Sequence, residues 1–500
     1  MERRAKIMAT LGPASSSAET VTRMIDAGLD VVRLNLSHGS HDDHRHLIRT
    51  VRAQAAAAGR FIPIVLDLMG PRYRLGRIPG GSRRLEEGET VVLVTEDGPG
   101  EGLPVSDPAL LEHLRPGERV LLDNGLLELH AEGREGDGVR ARVVQGGRVS
   151  SRKGVNLPDT NLPFEISPKD RDDVAFAVQE GADYLAASYV HRAADLEELQ
   201  VVMAESGGQL PLIAKLERQG SIDRLEELVE AADAVMVARG DLGVEVPLYR
   251  VPVLQKEIIA AGRRRSIPVI VATQMLESMM EQPRPTRAEA SDVANAVFDG
   301  ADTLMLSGET AAGRFPVEAI QVMDRIIVEA EAYDRRTASA GRRPSACRRD
   351  GEPATGDGSG SEPSSGGEAP DLEIAEVVSA AAVYAAERLP VRQIVAFSQA
   401  GFTARMVARN RPQAPILVFT TDRTVARRIQ LVWGVRPFLM DTEVEHHDEV
   451  VEVVERQLLT SGLAAPGETI VILMGDPIRE RPLTNLVRVH RLREPEQQGS

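Results

Sequence analysis

Leu210-Pro-Leu-Ile-Ala-Lys215-Leu-Glu217, Asp233-Ala-Val-Met-Val-Ala-Arg239-Gly-Asp241, Ile267-Pro-Val-Ile-Val-Ala-Thr273-Gln274 and Asp302-Thr-Leu-Met-Leu-Ser307-Gly-Glu309 say the same thing four times within about a hundred residues. Each is a short apolar run that ends in polar or charged groups. Continuous apolar runs bounded by turn residues read as strands buried on both faces, the habit of parallel sheets. The intervening segments, such as Ser221 to Ala231 and Tyr249 to Arg265, are long enough for helices. Strands alternating with helices, all finishing in polar groups, describe a (β/α)8 TIM barrel with its working site at the strands' carboxyl ends.

The phrase recurs upstream, in Ala5-Lys-Ile-Met-Ala-Thr10, Asp30-Val-Val-Arg33-Leu-Asn35-Leu-Ser37, Ile62-Pro-Ile-Val-Leu-Asp67 and Asp183-Tyr-Leu-Ala-Ala-Ser188. That brings the number of strands to about eight, the number that closes a barrel. In the second of these runs the period of two puts Arg33, Asn35 and Ser37 on one face. Several strands follow an Ala-Gly or Gly-Ala turn, as in Asp26-Ala-Gly-Leu-Asp30 and Asp299-Gly-Ala-Asp302, where glycine supplies a left-handed helix cap.

Two segments break the rhythm. From Gly70 to Lys153 short strand patterns are punctuated by Asp-Gly, Asn-Gly and Gly-Gly turns, which reads as a small inserted β-barrel lid. From Asp334 to Pro370 the chain turns basic and then rich in Gly, Ser, Glu and Pro, without periodicity, and reads as a disordered linker. A fresh α/β pattern starts at Asp371. The expected organisation is barrel over 1–72 and 154–333, lid over 73–153, linker over 334–370 and C-terminal α/β domain over 371–495.

Five hundred residues exceed a single core. The formal net charge of -16 argues against nucleic acid or an anionic membrane as partner. Cys347, the one cysteine, lies in the expected linker and excludes an internal disulfide or a cysteine-rich metal site. No signal-peptide pattern and no membrane-spanning run is present, so a cytoplasmic setting is expected.

Lys215 and Glu217, two apart on a strand, both project inward, and Asp241 lies just past the next strand. Two carboxylates without histidine or cysteine suit a hard cation, Mg²⁺ above all. The turn Gly240-Asp241-Leu-Gly243 offers backbone N–H groups to an anion such as a substrate carboxylate. Arg33, Arg74 and Lys153 add the positive charge that a nucleotide's phosphates need. Cations, a metal and an anion turn, with no nucleophile-base pair, point to phosphoryl transfer.

Arg33-Leu-Asn-Leu-Ser-His-Gly39, Lys153-Gly-Val-Asn-Leu-Pro158, Ala238-Arg-Gly-Asp-Leu-Gly-Val-Glu245, Ala272-Thr-Gln-Met-Leu-Glu-Ser278, Pro283-Arg-Pro-Thr-Arg-Ala-Glu289 and Met305-Leu-Ser-Gly-Glu-Thr310 closely resemble the pyruvate kinase family, over nearly the whole chain outside the linker. The resemblance implies transfer of the phosphoryl group of phosphoenolpyruvate to ADP, giving pyruvate and ATP, in the last step of glycolysis, by a homotetramer. It implies Glu217 and Asp241 as ligands of Mg²⁺ or Mn²⁺, and Lys215, Thr273 and Arg33 as catalytic residues. It further implies Lys215, Gly240, Asp241 and Thr273 at the substrate. Arg33, Asn35, His38, Arg74, Lys153 and Asn156 match nucleotide-side positions, and Ser398, Gly401 and Thr403 match an effector loop. Phe402 stands where a basic residue is frequent, which implies weak or absent activation by fructose bisphosphate.

The family's monovalent-cation ligands are matched by Asn35, Ser37, Asp67 and the Leu68 carbonyl. Yet Asp67-Leu-Met-Gly-Pro-Arg72 departs from the potassium-dependent pattern by placing arginine where those members carry a carboxylate. A guanidinium there is expected to replace K⁺, which the ligands still admit but the enzyme should not need. Asp123-Asn124-Gly125 likewise departs from the family's two aspartates. Two rival readings are a phosphoenolpyruvate- or pyruvate-using lyase on a related barrel and a non-catalytic metabolite sensor. The nucleotide-side cations oppose the first, and intact Lys215, Glu217, Asp241 and Thr273 oppose the second.

Overall fold

A computed structural model describes residues 3–339 and 369–493, apart from 72, 97–101, 161, 443, 445 and 477–483. Eight strands close into a barrel: β1 (Lys6–Thr10), β2 (Val31–Asn35), β3 (Ile64–Asp67), β4 (Tyr184–Ala187), β5 (Leu212–Leu216), β6 (Ala234–Ala238), β7 (Val269–Ala272) and β8 (Thr303–Leu306). Every neighbouring pair is parallel, and β8 returns to β1. All but β2 are buried along their whole length, which is why their sequences show no polar alternation.

The aspartates that open four of the repeated phrases have one structural job. Asp30, Asp183, Asp233 and Asp302 accept the backbone N–H of Ile7, Ile64, Leu212 and Val269 at 2.9, 2.9, 2.9 and 3.0 Å. Each carboxylate thus ties the foot of its strand to the neighbouring strand and satisfies an amide that the ladder leaves unpaired. Gly28 and Gly300, at φ +109° and +99°, turn the preceding helices back towards β2 and β8.

Between β3 and β4 the chain builds a six-stranded sheet and a two-stranded sheet, Ser82–Leu85 against Gly147–Ser150. The insertion has its own core, including Leu75, Leu93, Leu122, Leu129 and Val155. It leaves from the carboxyl end of β3 and therefore stands over the face where the polar strand ends gather.

The C-terminal five-stranded sheet runs in the order Val435–Leu439, Ile416–Thr420, Val391–Phe397, Thr469–Met474, Leu486–Arg491, with the last pair antiparallel. It sits under the opposite end of the barrel. Leu431, fully buried, packs with the barrel's interior side chains Met8, Ile213 and Met305. Thr303 and Tyr184 donate to the carbonyls of Leu431 and Arg428 at 2.9 and 3.1 Å, and Lys6 Nζ to that of Val435 at 2.6 Å. Asp183 pairs with Arg427 at 2.7 Å and Asp302 with Arg411 at 2.9 Å, so two of the strand-foot aspartates also fasten this domain.

Helical structure runs past Asp334, where the composition places the start of the linker. Helix Pro316–Ser339 continues past Asp334 because Tyr333 packs edge-on against Phe298 at 5.9 Å and Arg335 reaches Glu331 at 3.8 Å, one turn back. The helix Ala369–Arg388 starts just inside the other boundary. Residues 340–368, with Cys347, lie outside the described residues, as does Arg72. Among the described residues no helix is long and apolar enough to cross a membrane.

Candidate active site

Lys215, at the end of β5, is 6 % exposed, and its ammonium is surrounded. It donates to Ser188 Oγ at 2.6 Å and lies 2.7 Å from Glu217 Oε1 and 3.4 Å from Asp67 Oδ1. Burial acts most strongly and lowers its pKa, but Asp67 and Glu217 together outweigh it and hold the lysine above its ordinary value. It is a fixed positive charge. Asp67 shows the mirror image: burial raises it, and Lys215 with Arg33 more than reverse that. Arg33 donates to Asp67 Oδ2 at 2.6 Å and to Thr10 Oγ1 at 3.0 Å.

Glu217 is 1 % exposed and accepts from the Tyr189 amide at 2.9 Å through Oε2. Its Oε1 accepts no hydrogen bond of good direction. Its pKa is raised, first by burial and then by Asp241, against the pull of Lys215. Asp241, on the short helix Arg239–Glu245, acts electrostatically on both Lys215 and Glu217, while its own carboxylate takes no hydrogen bond or ion pair among the described residues. Asp241, unpaired among the described residues, and Glu217, held only loosely at Oε1 by Lys215, are a donor set for a hard divalent cation. Mg²⁺ takes one or two carboxylates and fills its other positions with water and phosphate. Among the described residues no group of three or more His, Cys, Asp or Glu forms a metal cage.

Thr273 and Gln274 follow β7 with φ of +68° and +53°, a region that threonine rarely occupies. Arg239 holds them there. Its guanidinium donates to the carbonyls of Ala272 and Thr273 at 3.3 and 2.8 Å and is anchored by Asp292 at 2.7 Å. Thr273 Oγ1 donates to Ala272 O at 2.7 Å and accepts from Gly240 N at 2.8 Å. The Gly240 amide expected to face an anion is therefore already engaged, because the strained loop brings the threonine hydroxyl onto it.

The remaining expected residues separate into two groups. Asn35 Oδ1 accepts from Ser37 N at 3.1 Å, and Leu68 O accepts from Ser188 Oγ at 2.8 Å, while the Ser37 hydroxyl is buried without a partner. Arg74 and Asn156 line a cleft of about 140 Å³ with Tyr73, Asn124, Tyr189, Arg218 and Asp241, between the barrel mouth and the insertion. Asn156 donates to the buried Glu245 at 3.0 Å, and Lys153 pairs with Asp123 at 2.9 Å. His38 is exposed, and its carbonyl holds the His44 ring at 2.8 Å. In the C-terminal domain Ser398 is buried, Gly401 (φ +81°) precedes helix Phe402–Ala408, and Thr403 Oγ1 meets Thr484 Oγ1 at 2.9 Å.

Sequence reading missed Ser188, Tyr189, His191, Arg218, Arg239 as a clamp, and Glu245. The Arg218–His191 contact, 3.1 Å long, carries a pH signature. Burial, helped by Arg218, lowers the His191 pKa from 6.5 to about 4. Between those values the unfolded chain binds the extra proton, so stability rises with pH through this window and falls as acid is added. Urea midpoints of the wild type and His191→Gln at pH 7 and pH 5 check this. The wild type should lose more stability on acidification, and parallel losses would refute the assignment.

Comparisons with known proteins match the chain over both its barrel and its C-terminal domain. Residues 2–320 match the family model described as pyruvate kinase, barrel domain, and residues 376–490 match pyruvate kinase, alpha/beta domain. A pyruvate kinase of Corynebacterium efficiens is 43% identical over 498 residues, covering 99% of each chain. One of Mycobacterium tuberculosis is 41% identical over 497 residues, again covering 99% of each. One of Geobacillus stearothermophilus is 39% identical over 501 residues, covering 98% of this chain and 80% of that protein.

Proposed function

The chain belongs to the pyruvate kinase family of transferases, and on that premise we propose that it transfers the phosphoryl group of phosphoenolpyruvate to ADP. The observation that carries this reading is the buried, permanently charged Lys215, set between Glu217 at 2.7 Å and Ser188 at 2.6 Å at the carboxyl end of the barrel. Phosphoryl transfer through a loose transition state needs positioned charge more than a nucleophile, and such charge acts most strongly where water is excluded.

In this reading Lys215 neutralises charge on the phosphoryl oxygens as the group passes between donor and acceptor. Glu217 and Asp241 hold Mg²⁺ or Mn²⁺, which when bound supplies a Lewis acid that offsets phosphate charge. The strained turn at Thr273, locked by Arg239, is the proposed seat of the substrate carboxylate, which would have to displace the Thr273 hydroxyl from the Gly240 amide or use the Asp241 amide beside it. The enolate then takes a proton on its methylene carbon. Because the Thr273 hydroxyl donates to Ala272 O and a lone threonine is a poor acid, water ordered by that hydroxyl is the proposed donor. Arg33, Asn35, His38, Arg74, Lys153 and Asn156 face the nucleotide. The proposed setting is the cytoplasm, with the enzyme as a homotetramer at the end of glycolysis, and Ser398, Gly401 and Thr403 as the effector loop.

K⁺ is proposed to be dispensable. Besides the charge of Arg72 inferred from the sequence, the oxygens of the monovalent site already have donors: Asp67 has Lys215 and Arg33, Leu68 O has Ser188, and Asn35 Oδ1 has Ser37 N. Only the Ser37 hydroxyl stands open. A coupled pyruvate assay in buffer free of Na⁺ and K⁺ should show full turnover and little change on adding K⁺. A strong rate increase would reverse this conclusion. The same assay tests the function, since pyruvate formation must depend on ADP and a lyase would not need it.

A further inference from the structure

Arg218 follows Glu217 and lines the same cleft as Asp241, yet no family motif quoted above includes it. Its environment is unusual for an arginine. The residue is 4 % exposed, and its guanidinium lies 5.1 Å from the centre of the Tyr189 ring. One Nη1–H meets His191 Nε2 at 3.1 Å, and Nε is buried without a partner. No carboxylate forms an ion pair with it among the described residues. Glu245 feels the Arg218 charge without pairing with the guanidinium, and accepts from Asn156 at 3.0 Å.

A guanidinium cannot shed its charge, and burying it without an ion pair in contact is costly. Here the partners hold it without neutralising it. His191 offers a lone pair from an uncharged ring, and Tyr189 offers a π face. Glu245 compensates the charge only at a distance, so the guanidinium is left able to take an anion in direct contact through the cleft. The same cleft is lined by Tyr73, Arg74, Asn124 and Asn156 from the insertion and by Asp241. An anion that spans Arg218 and Arg74 while keeping a metal-binding edge towards Asp241 has the form of a diphosphate.

We propose that Arg218, oriented by His191 and Tyr189, binds the diphosphate of the nucleoside diphosphate substrate in this cleft. The inference rests on the phosphoryl-transfer reading of the site and adds a residue that discriminates the nucleotide from phosphoenolpyruvate.

Equilibrium dialysis with MgADP, and separately with phosphoenolpyruvate, on the wild type, Arg218→Gln and Arg218→Lys tests it. For Arg218→Gln the ADP dissociation constant should rise about tenfold to a hundredfold, as expected for losing a charge-assisted phosphate contact. Arg218→Lys should fall between it and the wild type, and phosphoenolpyruvate should bind all three alike. Without ligand, the thermal midpoint of Arg218→Gln should stay close to or above that of the wild type, since no direct ion pair is lost. An ADP constant within twofold of wild type, an equal loss for phosphoenolpyruvate, or an Arg218→Gln chain that does not fold would overturn the proposal. If the wild type makes pyruvate from phosphoenolpyruvate and ADP while Arg218→Gln binds ADP normally, the residue assignment alone fails. If the wild type makes none, the reading of the site fails.

Discussion

Lys215→Met is expected to lower kcat by about a thousandfold or more, the scale of losing a preorganised charge aimed at a transition state. The Michaelis constant for phosphoenolpyruvate should move far less, because a charge that acts on the phosphoryl group in flight contributes mainly after binding. The fold should survive. Asp67 keeps Arg33 at 2.6 Å, and Glu217, already pushed up by burial, can take a proton once the ammonium is gone. Steady-state kinetics with a thermal melt separates the two effects. A variant that retains a tenth of wild-type kcat, or one whose loss tracks unfolding, would contradict the role.

The second large effect is expected at Asp241. Asp241→Asn should weaken the apparent activation constant for Mg²⁺ or Mn²⁺ on the order of a hundredfold, since outer partners of metal ligands alone are worth up to that much. The same substitution should leave the thermal midpoint unchanged or raise it. Asp241 takes no hydrogen bond or ion pair among the described residues, and beside a weak attraction to Lys215 it raises the pKa of its neighbour Glu217, the sign of like-charge repulsion. Activity lost without stability lost is the mark of a residue kept for its ligand. A metal titration of kcat alongside a melt of the same sample gives the answer. A marked fall in the midpoint with unchanged metal dependence would assign Asp241 a structural role.

The barrel could be read from the chain because its strands are buried on both faces and announce themselves as uninterrupted apolar runs. The reactive ends were equally legible: Lys215 and Glu217 sit two apart on one strand, and alternation alone puts them on one side. What could not be read was any contact between segments. Ser188, which accepts a hydrogen bond from Lys215 at 2.6 Å, reads as an ordinary strand-end hydroxyl. Arg239 was legible only as part of a motif, since its clamp on Thr273 depends on how β6 and β7 lie side by side. The Arg218, His191 and Tyr189 cluster draws on two loops that periodicity cannot join. Composition also hid the helical turns over Asp334 to Ser339, because such a polar, basic segment becomes helical once Tyr333 has Phe298 to pack against. The aspartates opening the strands were visible as a repeat, but their service to neighbouring amides required the ladder itself.

Glu217, just past β5, and Asp241, on the helix after β6, are expected to grip one divalent ion next to Lys215. Anomalous diffraction from crystals of the wild type soaked in Mn²⁺ tests this without reference to turnover. One peak within bonding distance of both carboxylates is the expected result. A peak bonded to only one of them, or none at this site while Mn²⁺ still supports activity, would contradict the account.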